Sequence, residues 1–149
     1  MKFKILIDRE FSFVAENSYN LGSTFDRSVI TDKQGVYILH NGPLENIWDR
    51  EDKIFYIGAT DREGLSERAR KHREVLLDSR NKSGKPKTDG SRKMIKYGKD
   101  LGHDLSNVYF SFYTFQKQVK FYMPFLLEGY LLDHYIDRFE SKPFVNTGR

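Results

Sequence analysis

The sequence contains no cysteine. Disulfides and thiolate metal sites are therefore excluded, and an intracellular compartment is the simpler expectation. Any metal must bind through carboxylates, histidines or carbonyls, which points to a hard ion such as magnesium. Long apolar runs are missing too. No stretch can span a bilayer, so no membrane partner is expected. Met1 to Ile7 holds two lysines, but its apolar run is short and stops at Asp8, unlike a signal peptide. These absences predict a soluble intracellular protein, cytoplasmic or phage-encoded in a host cell. Internal repeats, interdomain linkers, zinc motifs and a separate helix-turn-helix are not visible.

The 149 residues suit one domain with a real core. Aromatic residues make up 15 % of the chain, so Phe and Tyr should fill much of that core. The net charge is +4, and its distribution says more than its size. Between residues 80 and 93 stand Arg80, Lys82, Lys85, Lys87, Arg92 and Lys93 against one acid, Asp89. Six cations and one anion give that segment +5, so the rest of the chain sums to −1. A segment of this kind is either a solvated loop or a clamp on a phosphate backbone.

Residues 2–7 alternate with Phe3, Ile5 and Ile7 on one side, a strand pattern. Residues 8–33 read as irregular. The runs 35–39 and 54–57 are apolar strands that could pair across a loop holding Trp48 and Arg50. That loop either reaches a partner or is only an insertion. Thr60, with Glu63 three residues on, predicts a capping box opening a helix that runs to about Ser79. A second helix is expected over 91–101, and a strand covered on both faces over 108–115. A last helix should start near Pro124 and end near Phe139. Together these predict an α+β fold, a small mainly antiparallel sheet flanked by helices. One domain over 1–149 would carry an N-terminal extension (1–33) and a basic inserted loop (80–93).

Several polar residues stand out. On the last helix, Phe125, Glu128, Leu132, Tyr135 or Ile136, and Phe139 share a face by their spacing. A carboxylate on such a face needs a partner, either an ion pair or a metal. Arg68 and His72 are four apart and share a face of the first helix with Leu65, Ala69 and Leu76. Tyr37 and Tyr56 lie in the two paired strands, the second followed closely by Gly58. A glycine ending a strand marks a bend or a close approach. Taken singly, each residue has an ordinary structural explanation.

Their order is more specific. Gly35-Val36-Tyr37, Tyr56-Ile57-Gly58, Arg68-x-x-x-His72, Glu128 in a late helix and Asn146 together resemble the GIY-YIG nuclease family, over residues 35–146. The resemblance departs from the family in Val36, in the eighteen residues between Tyr37 and Tyr56, and in the basic insertion. It implies a sheet of about three strands and metal-dependent hydrolysis of DNA phosphodiesters by a stand-alone, restriction- or phage-type catalytic domain. It implies Glu128 as metal ligand, with Mg2+ or alternatively Mn2+, and Arg68 as phosphate contact. Tyr37 would stand beside the attacking water, with Tyr56 and His72 supporting it. Asn146 would orient the phosphate or a catalytic side chain. The residues 80–93 would grip DNA, and a homodimer would serve two strands. Tyr is a poor base unless its pKa falls well below its usual value of about 10, so Tyr37 and His72 both stand as candidates for the base. Two alternatives remain: a non-catalytic DNA-binding module with the nuclease fold, and an unrelated basic protein in which these residues form a structural network.

Overall fold

A computed structural model describes residues 12–22, 26–60, 62–79, 89–102, 104–115 and 123–146. The expected strand over 2–7 falls outside them, as do Arg80, Lys82, Lys85 and Lys87.

The order is β1 (Ser18–Asn20), β2 (Gly35–Asn41), β3 (Ile54–Ala59), α1 (Leu65–Ser79), α2 (Asp89–Leu101), β4 (Val108–Thr114) and α3 (Met123–Phe139). The four strands form one antiparallel sheet in the order β1-β4-β2-β3. The resemblance implies about three strands, and the described residues form four. The extra one, β1, is three residues of Ser, Tyr and Asn, too short and too polar to alternate visibly. It lies where the sequence reads as irregular.

Central β2 is buried from Gly35 to His40, because helices cover both faces of the sheet. On one face Tyr37, Leu39, Tyr56, Phe110 and Phe112 pack with Leu65, Ala69 and Leu76 of α1 and with Met94 and Tyr97 of α2. On the other, Val36, Ile38, Ile54 and Ile57 pack with Leu127, Leu131 and Tyr135 of α3. Fully burying each such apolar side chain contributes roughly 1.5–3 kcal/mol.

Helix α1 starts at Leu65, five residues after the expected cap. Thr60 has another task. Its Oγ1 accepts the Gly35 N–H at 2.9 Å, and its own N–H donates to the Gly35 carbonyl at 3.0 Å. These bonds hold the chain extended past β3. The α1 amino end is satisfied by backbone instead, Leu65 donating to the Lys33 carbonyl and Ser66 to that of Thr31. No Thr60–Glu63 capping box forms.

The loop between β2 and β3 is tied down. Trp48 packs against Tyr135 and His134 of α3, and Arg138 donates to its carbonyl. Tyr97 donates to the Asp52 carbonyl at 2.6 Å, and Arg50 pairs with Asp52 at 2.8 Å. Among the described residues no helix is long and apolar enough to cross a membrane.

Candidate active site

The site begins with register. Tyr37 on β2 stands opposite Gly58 on β3. A Cβ on Gly58 would lie 2.5 Å from the Tyr37 hydroxyl oxygen and 2.7 Å from a ring carbon of Tyr56. Only glycine lets the Tyr37 ring lie across β3. The two tyrosine rings then stack, centroids 6.0 Å apart.

Helix α1 brings the other groups. His72 follows Leu65 and Ala69 on the face that packs on the sheet, and Arg68 stands one turn earlier. Arg68 donates to the Tyr37 hydroxyl from Nε at 3.3 Å and from Nη2 at 3.1 Å. His72 Nε2 lies 2.9 Å from the same oxygen. Arg68 only donates, so the hydroxyl hydrogen of Tyr37 is left for His72 Nε2 or for Tyr56, which also hydrogen-bonds to Tyr37. Where Tyr37 donates to His72, the ring proton of His72 sits on Nδ1.

Tyr37 is fully buried. Burial, reinforced by Tyr56, pushes its pKa well above the ordinary value, and the nearby Arg68 cation does not reverse this. The shift is opposite to the one a tyrosine base needs, so Tyr37 holds its proton at neutral pH. Burial acts to lower the Arg68 pKa, but Tyr37 and Glu63 outweigh it, so the guanidinium stays charged.

Glu63, just before α1, is a further member that no motif marks. One carboxylate oxygen pairs with Lys71, and the other lies 3.9 Å from Arg68 Nη1. That second oxygen is buried without a hydrogen-bond partner. Glu63 precedes the helix, so no helical spacing links it to Arg68 and Lys71. Its charge steers the Arg68 fork from one side while Tyr37 holds it from the other.

Asn146 acts on β3. It is buried and brackets edge strand β3. Its Oδ1 accepts from the Ile57 N–H at 2.8 Å, and its Nδ2 donates to the Ile57 carbonyl at 3.0 Å. It fixes the strand between Tyr56 and Gly58 through the backbone.

Glu128 is not on the buried stripe of its helix. The residues facing the sheet are Pro124, Leu127, Leu131 and Tyr135, while Phe125 is 43 % exposed. The helix carries apolar residues on most sides, so several stripes fit its sequence and the sheet selects the one through Leu127 and Leu131. Glu128 is half-buried beside that stripe, and α3 covers the sheet face opposite Tyr37. Among the described residues no three His, Asp or Glu side chains gather into a metal-binding group. Magnesium is commonly held by one or two carboxylates completed by substrate phosphate and water. A site on Glu128 would have to be of that sparse kind.

Of the basic cluster, Arg92 and Lys93 are on α2. Arg92 is exposed and loosely paired with Asp89 at 3.5 Å, and Lys93 is half-buried. The structure thus brings Tyr37, Tyr56, Arg68 and His72 into one cluster, braced by Glu63 and Gly58. No family model matches the chain, and no curated protein matches it.

Proposed function

We propose that the protein is a metal-dependent endonuclease of GIY-YIG type that hydrolyses DNA phosphodiesters. The observation that carries this reading is the Tyr37 hydroxyl held between the Arg68 guanidinium and His72 Nε2. A buried phenol gains nothing structural from a cation and an imidazole that a plain apolar core would not supply more simply. For chemistry the set is apt.

In the reaction a water oxygen bonds to phosphorus and one P–O ester bond breaks. Water gives up a proton, and the departing oxygen gains one from solvent. Arg68 offsets the negative charge that grows on the phosphoryl oxygens. His72 is the base in this reading. Tyr37 passes its hydrogen to His72 Nε2 as it takes one from water, so the buried phenol never stands as a free anion. Tyr56 packs beside both rings. The resemblance assigns a divalent ion to Glu128, whose helix covers the other face of the sheet from this cluster, so such an ion would add Lewis-acid charge only to a phosphate that bridges the two.

Supercoiled plasmid tests this directly, incubated with magnesium, manganese or EDTA. Wild type should nick it only with a divalent ion. Arg68→Ala should slow nicking by about 10²–10³-fold, the usual size of losing one charge-stabilising donor. Glu128→Ala should abolish it. DNA binding without cleavage in any metal would instead favour an idle binding module, and loss of both would leave only a structural network.

A further inference from the structure

Between the sheet and helices α1 and α2 lies a cavity of about 210 Å³. Tyr56 and His72 form part of its wall, so it opens off the same two rings that border Tyr37. Val75, Met94 and other aliphatic side chains supply most of the rest. Among the described residues, Lys93 is its one lysine or arginine.

We propose that this cavity receives one unstacked nucleobase of the DNA strand whose phosphate lies at Arg68. The inference rests on the nuclease reading and adds to it how the strand is held. Three observations select a base. An aliphatic-lined cavity of about 150 Å³ accommodates benzene, so this one has room for a larger flat ring. Tyr56 and His72 offer aromatic surfaces, and base–aromatic stacking tolerates every base. The Lys93 ammonium can donate to the ring nitrogens and carbonyl oxygens of a base edge but finds no partner on a plain hydrocarbon. A nucleotide is the ligand that joins such a ring to an anion, and the Arg68 cation reaches the same Tyr37 hydroxyl that the cavity-lining His72 contacts. Extrusion costs least where a base is already unpaired, so single-stranded or mismatched positions are the preferred occupants.

The chain has three methionines, of which Met94 lines the cavity and Met123 begins α3 on the far face of the sheet. Protein labelled with 13C at the methionine methyls is titrated, in EDTA, with a single-stranded thymidine oligonucleotide. A parallel titration uses an abasic strand of equal length, with the same phosphates and no bases. Met94→Leu assigns the signal. The Met94 methyl should move upfield by the ring current of an inserted base with the first strand only, while Met123 stays still. The thymidine strand should also bind about tenfold tighter or better. Val75→Phe, which fills the cavity, should remove that advantage and keep the shared backbone affinity. Equal binding of both strands with equal or no movement of Met94 would overturn the inference and leave the nuclease reading standing. Failure of both strands to bind would remove the nuclease reading and the inference with it.

Discussion

At the scale of single residues, the candidate site depends on one missing side chain. Gly58 leaves the space that the Tyr37 ring occupies. Gly58→Ala puts a methyl 2.5 Å from the Tyr37 oxygen, and backbone on β3 cannot yield easily between β2 and the Asn146 bracket. Overpacking of this kind costs about 1–3 kcal/mol, or roughly 2–4 °C of melting temperature per kcal/mol in a domain of this size. The variant should therefore stay folded at assay temperature but lose nicking activity far beyond that, because Tyr37 must shift away from Arg68 and His72. A melting curve and the initial nicking rate check this together, and an unchanged rate per folded molecule would show that Tyr37's position is immaterial. Part of this was legible in advance. The four-residue step from Arg68 to His72 fixes a shared face whatever the fold, and Gly58 marked either a bend or a close approach, of which the structure shows the second. Glu63 was not legible, because its contact with Arg68 depends on how the chain turns between Thr60 and Leu65. The protonation of Tyr37 was not legible either, because it follows from complete burial.

At the scale of elements, the sequence foretold strands and helices where one pattern dominated, and failed where patterns competed. β2, β3 and β4 are apolar runs bounded by turns, and they lie within two residues of expectation. α3 was placed correctly but rotated, since a helix apolar on most sides does not say which stripe meets the sheet. β1 escaped because backbone pairing with β4, not side-chain pattern, makes it a strand. That pairing adds a polar link across three strands. His40 Nδ1 donates to the Gly42 carbonyl at 2.9 Å, its Nε2 meets Ser111 Oγ at 2.7 Å, and Ser18 Oγ lies 2.6 Å beyond. Burial lowers the His40 pKa to about 4. An unfolded histidine titrates near 6.5, so between pH 6.5 and 4 the unfolded chain binds a proton that the folded chain refuses. Stability therefore rises with pH across that window and is lost on acidification. From pH 7 to pH 5 this one group should remove roughly 2 kcal/mol. Urea unfolding at both pH values reads it out. His40→Asn should be less stable at pH 7 but lose about that much less on going to pH 5, and an equal loss in both proteins would mean that His40 is not the group responsible.

At the scale of the whole molecule, the excess positive charge is small in sum and concentrated in one segment. The segment from Arg80 to Lys93 carries +5, while the remainder sums to −1. In the described part of that segment, Arg92 is exposed on α2 and Lys93 borders the cavity next to His72. The described end of the basic segment therefore stands beside the candidate site, at the cavity that His72 lines. A solvated loop would contribute little to DNA affinity beyond a weak general attraction. A clamp releases condensed counterions, and each phosphate neutralised steepens the fall of affinity with salt by about 0.9 in the log–log slope. Replacing Lys82, Lys85 and Lys87 together by glutamine should then flatten that slope by about 2.7. It should weaken binding to unrelated sequences equally, because lysines on phosphates read no bases. Nicking at saturating DNA should stay near the wild-type rate, since none of the three belongs to the cluster around Tyr37. Binding isotherms across a salt series, on two duplexes of different sequence, separate the possibilities. A slope unchanged within error would return the segment to a solvated loop, and a loss confined to one duplex would make it a reader of sequence instead.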